Sequence, residues 1–163
     1  MNFDRLPSPE RSETGREKLL RLEKEGKFVF HGSDALLNAL EPRQAQKFDE
    51  AKGVNIGDGE PALFASKFAD MAIFRALISE KLINEESNNG FGTTEDNSPQ
   101  FYATRNLIEA AKNRIGKVYV LNGESFKPTV IGGSEYRSTE IVKPVEVVEV
   151  TFKDLPTNIK IIE

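Results

Sequence analysis

The chain has 163 residues, 38% of them hydrophobic and 29% charged, a balance that suits one soluble domain able to bury a core without staples. Cysteine is absent, which excludes disulfides and thiolate metal sites, and with a single histidine any metal site would rest on carboxylates. The formal charge of −4 argues against general nucleic-acid binding, and with no apolar run of membrane length and no signal-like N-terminus the cytoplasm is the expected compartment.

Ser8-Pro9 has the form of an N-cap followed by proline at the first helical position, so a helix is expected over about residues 9–25, stopped by Gly26. Leu19, Leu20 and Leu22 are its only apolar patch, which predicts a peripheral, weakly anchored helix. Phe28-Val29-Phe30-His31-Gly32-Ser33 reads as a buried strand that delivers the histidine into a Gly-Ser turn. Ser33 or Asp34 is then expected to cap a short helix ended by Pro42, and the polar, glycine-dotted residues 44–59 read as a loop. Pro61 to Ser66 is a second apolar strand, and positions 68, 71, 72, 74, 77 and 78 trace the face of a helix.

Residues 84–100 are polar and predict a loop excursion. Thr104 is placed to cap a helix reaching about Arg114, with Gly116 closing it. The last third reads as strands: Lys117 to Leu121, Glu135 to Val142, Val145 to Phe152 with a bulge, and Ile159 to Ile162 as a short edge. The sum is a single α+β domain over 1–163, with its helices mainly in the first two thirds.

Two familiar patterns fail on context. Gly57-Asp58-Gly59-Glu60-Pro61-Ala62 matches a loose dinucleotide fingerprint, but no convincing strand precedes it, and a proline-led strand follows where a helix is needed. Gly132-Gly133-Ser134-Glu135-Tyr136 lacks the last glycine and the helix of a nucleophile elbow. A serine hydrolase would need His31 as its base, and nothing marks a nucleophile for it.

The more informative pattern is distributed over three strand ends: His31-Gly32, Leu63-Phe64-Ala65-Ser66 and Ser134-Glu135-Tyr136. In this order they resemble the ADP-ribosyltransferase superfamily, where a His-Gly pair, a Tyr-Phe-Ala-like strand before a helix, and a late Glu strand recur. Ser134-Glu135-Tyr136 is similar to the Asn-Glu-Tyr of poly(ADP-ribose) polymerases, and Tyr136-Arg137-Ser138 is similar to a run in small rifampin ADP-ribosyltransferases, which lack the Glu. The resemblance covers about residues 28–152 and implies mixed and antiparallel sheets around an NAD cleft.

It further implies NAD as substrate, no metal, and an ADP-ribose acceptor that the sequence does not identify. His31 would bond the adenine-side ribose, the Gly32 backbone would grip the carboxamide, and Phe74 would stack on nicotinamide. Glu135 would stabilise the cation formed as the glycosidic bond breaks, with Ser33, Leu63, Phe64, Ala65 and Ser66 completing the NAD site. The family pattern expects tyrosine where Leu63 stands. Tyr102, in Phe101-Tyr102-Ala103-Thr104, is a rival for that position, but polar residues precede it. Two alternatives accompany the transferase: a non-catalytic NAD- or ADP-ribose-binding or protein-interaction module, and an RNA 2′-phosphotransferase-like enzyme using Arg43, Lys67, Arg75 and Arg137.

Overall fold

The computed structural model describes residues 12–49, 51, 54–78, 87–129 and 134–163, and over 43–49 and 54–60 the backbone alone. Its elements in chain order are α1 (Gly15–Lys24), β1 (Phe28–Ser33), β2 (Arg43–Asp49), β3 (Val54–Ser66), α2 (Ala69–Leu77), β4 (Asn89–Thr93) and β5 (Pro99–Thr104). They continue with α3 (Arg105–Ala111), β6 (Ile115–Asn122), β7 (Lys127–Pro128), β8 (Glu135–Ser138), β9 (Glu146–Thr151) and β10 (Ile159–Ile162). The strands of the main sheet run in the order β7-β8-β3-β1-β6-β9, with β2 hydrogen-bonded to β3, and a second sheet runs β10-β5-β4. This is an α+β fold with mostly antiparallel pairing, the one parallel pair among the described strands being β10 on β5.

The centre of the fold is α2 lying on β1 and β6. Its residues Ala69, Ala72, Ile73, Ala76 and Leu77 are buried against Phe30 of β1 and Val118 and Val120 of β6. Two glycines make this approach possible. A Cβ at Gly32 would stand 2.0 Å from the Ala72 carbonyl oxygen, and one at Gly116 would stand 2.7 Å from that of Ala76. Gly116 therefore belongs to a strand under α2; it does not close the preceding helix as expected, and α3 ends at Ala111.

The expected peripheral α1 is firmly anchored. Leu19 is fully buried and Leu22 nearly so, both in the cluster formed with α2 and β9. Arg16 grips Asp70 of α2 with two bonds of 2.8 and 3.0 Å, a fork-on-carboxylate geometry. The α1 start is held by a capping box between Thr14 and Glu17, while the expected Ser8-Pro9 cap lies outside the described residues. Gly26 ends it at φ +75°, the left-handed position that favours glycine. In return α1 supplies a cap that α2 lacks. Phe68 stands at the N-cap of α2 and offers no side-chain acceptor, and the Ala69 N–H donates instead to Glu23 Oε1 at 2.6 Å.

Five expectations are corrected. Residues 34–42 form no helix, because their backbone groups find tertiary partners: the Tyr119 hydroxyl donates to the Ala35 carbonyl at 2.5 Å and accepts from the Leu37 N–H at 2.7 Å, and Leu40 bridges Val142. Within the loop expected over 44–59 the chain forms the antiparallel β2–β3 pair, whose ladder is built by backbone groups and needs no apolar alternation. The excursion expected over 84–100 contains β4 and the start of β5, joined by a turn with Asn97 at φ +62°; its residues 84–86 lie outside the described residues. Finally, β8 is shorter than expected, and β9 carries no bulge. Its register with β6 is continuous from Ile115↔Thr151 to Val120↔Glu146, with Val148 and Val150 inward and Val147 outward. No helix among the described residues is long and apolar enough to cross a membrane.

Two predictions follow from this packing. Gly32→Ala is expected to cost about 1–3 kcal/mol, the range for forcing atoms into a filled core; an unchanged urea midpoint would show that α2 does not sit on that glycine. Burial, the largest influence, raises the Glu23 carboxyl above its ordinary range, opposed by the Ala69 N–H. A carboxyl raised by folding favours the folded state when protonated, and that contribution is lost as pH rises through the folded value. Compared with Glu23→Gln, which keeps an acceptor for Ala69, the wild type should lose relative stability as pH rises from about 4 towards 7. Parallel urea midpoints at all pH values would contradict this.

Candidate functional site

The cleft forms where β1 and β3 part. Between β1 and β6 six residue pairs stand in register, from Phe28↔Asn122 to Ser33↔Lys117. Between β1 and β3 the register is the single pair Phe30↔Ser66. One residue beyond that pair the His31 ring enters the gap, with Nδ1 2.7 Å from the Phe64 carbonyl oxygen. A carbonyl oxygen can only accept, so Nδ1 carries the proton. The histidine side chain thus links β1 and β3 where their ladder ends.

The resulting cleft has a volume of about 280 Å³. That is near the lower bound of roughly 300 Å³ for small-molecule sites and suits a ring with a sugar. Phe30 and the α2 residues Met71 and Ala72 form its floor, Phe64 one wall, and Phe91 of β4 another, so both sheets contribute. Polar groups enter from His31, Arg75, Ser134 and Glu135. The Arg75 guanidinium lies 4.9 Å from the centre of the Phe91 ring, a cation–π distance.

Directly opposed residues on paired strands share a face. Ser66↔Glu135 and Phe64↔Arg137 therefore lie on one face of β3–β8, and Ala65↔Tyr136 and Leu63↔Ser138 on the other. Glu135 opens β8 at the rim of the cleft, exposed to solvent.

The cleft brings together His31, Gly32, Phe64, Ala65, Ser66 and Glu135, which lie far apart in the sequence. It does not include Ser33, Leu63 or Phe74. Ser33 Oγ accepts from the Ala35 N–H at 3.1 Å in the following turn. Leu63 is 5% exposed and packs on the opposite face with Val29, Leu40 and Tyr119; the ring that reaches the cleft belongs to its neighbour Phe64, 39% exposed. Phe74, expected to stack on a ligand, is fully buried between Phe101 and Phe91 at ring distances of 5.1 and 5.9 Å. The lack of a side chain at Gly32 has its explanation in the seat for α2. Ser66 has a local duty as well, its Oγ accepting from the Phe68 N–H at 3.0 Å at the start of α2.

Sequence reasoning missed Phe91 and Met71 as parts of the site. Of the cations considered for a phosphate-handling enzyme, Arg75 lines the cleft and Arg137 shares the face of Glu135, whereas Lys67 lies over the Phe68 ring. Among the described residues no group of three or more His, Asp or Glu is arranged to hold a metal ion. Comparisons of the chain with protein-family models, curated proteins and solved structures give no match.

The histidine geometry is directly checkable, because the protein has one imidazole. Long-range ¹H–¹⁵N spectra at alkaline pH should show the Nδ1–H tautomer. The Nε2–H form, which dominates in free histidine, would contradict the bond to Phe64.

Proposed function

We propose that the chain binds NAD⁺ in this cleft and acts in the cytoplasm as an ADP-ribosyltransferase, passing ADP-ribose to an acceptor nucleophile or to water. One observation carries the reading: His31-Gly32, Phe64-Ala65-Ser66 and Ser134-Glu135, the three segments that resemble this superfamily, line a single cleft. The stacking expected of Phe74 is assigned to Phe64 and Phe91, whose rings are partly exposed there.

The chemistry asks little of the protein beyond position and charge. In NAD⁺ the nicotinamide is already cationic, so it leaves as a neutral molecule with the electrons of the glycosidic C–N bond, and no general acid is required. The remaining ribosyl group is oxocarbenium-like at C1′, and a carboxylate beside it lowers the energy of that state. Glu135 supplies the carboxylate. His31, fixed by Phe64, bonds a ribose hydroxyl, and the aromatic walls hold the ring in line. The acceptor oxygen then bonds to C1′ and releases its proton to solvent.

The exposure of Glu135 favours a second reading, because a solvated carboxylate stabilises a nearby cation less than a buried one does. On that reading the cleft binds NAD⁺ or ADP-ribose without turnover.

Purified protein with labelled NAD⁺ should release nicotinamide, and Glu135→Gln should lower turnover by roughly 10²-fold or more, the scale of losing one preorganised electrostatic partner, while calorimetric affinity changes little. Release that survives Glu135→Ala unchanged would overturn the mechanism. Binding without release would favour the second reading, and neither would overturn both.

A further inference from the structure

The second sheet has an open edge that borders the cleft. In that sheet β5 lies between β10 and β4, so one side of β4 pairs with β5 and the other with no described strand. Bonds at the two ends of β4 show which backbone groups face outward. The Thr104 N–H donates to the Asn88 carbonyl at 2.8 Å, and the Thr94 N–H to the Ser98 carbonyl at 2.9 Å. In an antiparallel pair the hydrogen-bonded positions recur at every second residue. Asn88, Gly90, Gly92 and Thr94 therefore turn their groups to β5, and Asn89, Phe91 and Thr93 turn theirs to the open side. The pairing Thr93↔Pro99 agrees, since proline has no N–H to donate.

An open edge is a template for another strand, and charge or proline commonly guards it. The other edge strands among the described residues are guarded in this way. Arg43, Lys47 and Asp49 lie on β2, β7 is Lys127-Pro128, Glu146 and Glu149 lie on β9, and Lys160 lies on β10. By contrast β4, Asn89-Gly90-Phe91-Gly92-Thr93, has neither charge nor proline. It is also the strand whose Phe91 lines the cleft, whereas Phe101 of β5 does not.

The chemistry of the edge selects its occupant. Outward N–H and C=O groups at two-residue spacing match the backbone of an extended chain. Charge then discriminates among extended chains. The turn after β4 exposes Glu95 and Asp96, which favours a cationic residue at that end and disfavours a second copy of this chain, whose formal charge is −4.

We infer that the β4 edge docks an extended peptide carrying a basic residue beside Glu95 and Asp96. The peptide adds a strand to the second sheet, and its residue opposite Phe91 shares the face of that ring and so reaches the cleft. The docking rests on the edge and not on the identity of the cleft's ligand.

The test pans a phage-displayed library of random dodecapeptides on the full chain and measures the best synthetic peptide by calorimetry. Thr93→Pro removes one outward N–H and leaves the bonds to β5 in place, with circular dichroism melts as the folding control. Enriched peptides should share a Lys or Arg and bind Thr93→Pro about tenfold more weakly, the scale of a lost hydrogen bond whose partner is left unpaired. N-methylation along the peptide should weaken binding at every second residue. In the wild type the peptide should slow hydrogen exchange at the Asn89, Phe91 and Thr93 amides, those of Gly90 and Gly92 being slow already. No enrichment, an affinity that Thr93→Pro leaves unchanged, or protection without this alternation overturns the docking and leaves the NAD reading standing. If Thr93→Pro does not fold, the alternation in the wild type decides. A consensus without Lys or Arg overturns the basic partner. A wild type that dimerises in light scattering, with a monomeric Thr93→Pro, assigns the edge to a second copy and overturns the peptide.

Discussion

The molecule depends on the close seating of α2 against β1 and β6. A helix backbone approaches a sheet this nearly only where side chains are missing from the sheet, and Gly32 and Gly116 provide the two gaps. That contact fixes the floor of the cleft, because Met71, Ala72 and Arg75 project from the same helix. It also explains why α1 matters. By capping α2 with Glu23 and gripping Asp70 with Arg16, α1 sets the axial position of the helix that carries the site. Asp154, buried near the C-terminal end, accepts from the Arg16 N–H and so secures the start of α1. The site is therefore backed by a chain of polar anchors running behind the core.

The cleft lies where the β1–β3 ladder ends, and one side chain spans the two strands there. Beyond the pair Phe30↔Ser66, the His31 ring donates to the Phe64 carbonyl across the slot. The second sheet supplies Phe91 across that slot, linked through Arg75 to the central helix. Two cores meet here: one around α1, α2, β1, β6 and β9, the other around Phe74, Phe101 and Leu107. The cleft is lined from both, by Phe30 and Ala72 of the first and Met71 of the second.

Much of this was legible in the sequence, and the failures have physical causes. The strands at Phe28–Ser33 and Ile115–Asn122 and the helix at Ala69–Leu77 announce themselves by dense apolar residues, and Ile159–Ile162 appears as the short edge expected. The β2–β3 pair and β4 are held mainly by backbone hydrogen bonds among polar residues and glycines, which leaves little hydrophobic pattern to read. Strand ends bearing His31, Ser66 and Glu135 could be identified as places to build a site. Which residue of Leu63-Phe64 faces inward could not, because a strand alternates faces at every residue and its parity is set by partners distant in the chain. Phe91 was hidden by its setting, Asn89-Gly90-Phe91-Gly92.

The registers that build the cleft also constrain its appearance in time. His31 pairs with Tyr119 and Ser66 with Glu135, contacts between segments widely separated along the chain. Each closes a long loop before any packing energy is returned, so the loop-closure entropy is lost first and folding belongs to the slow, non-local class, on the order of milliseconds to seconds. The slot is defined by three strands and a fourth from another sheet, so it exists only once all of these registers are set. A chain lacking any one of these registers would keep most of its helices and strands but not the cleft.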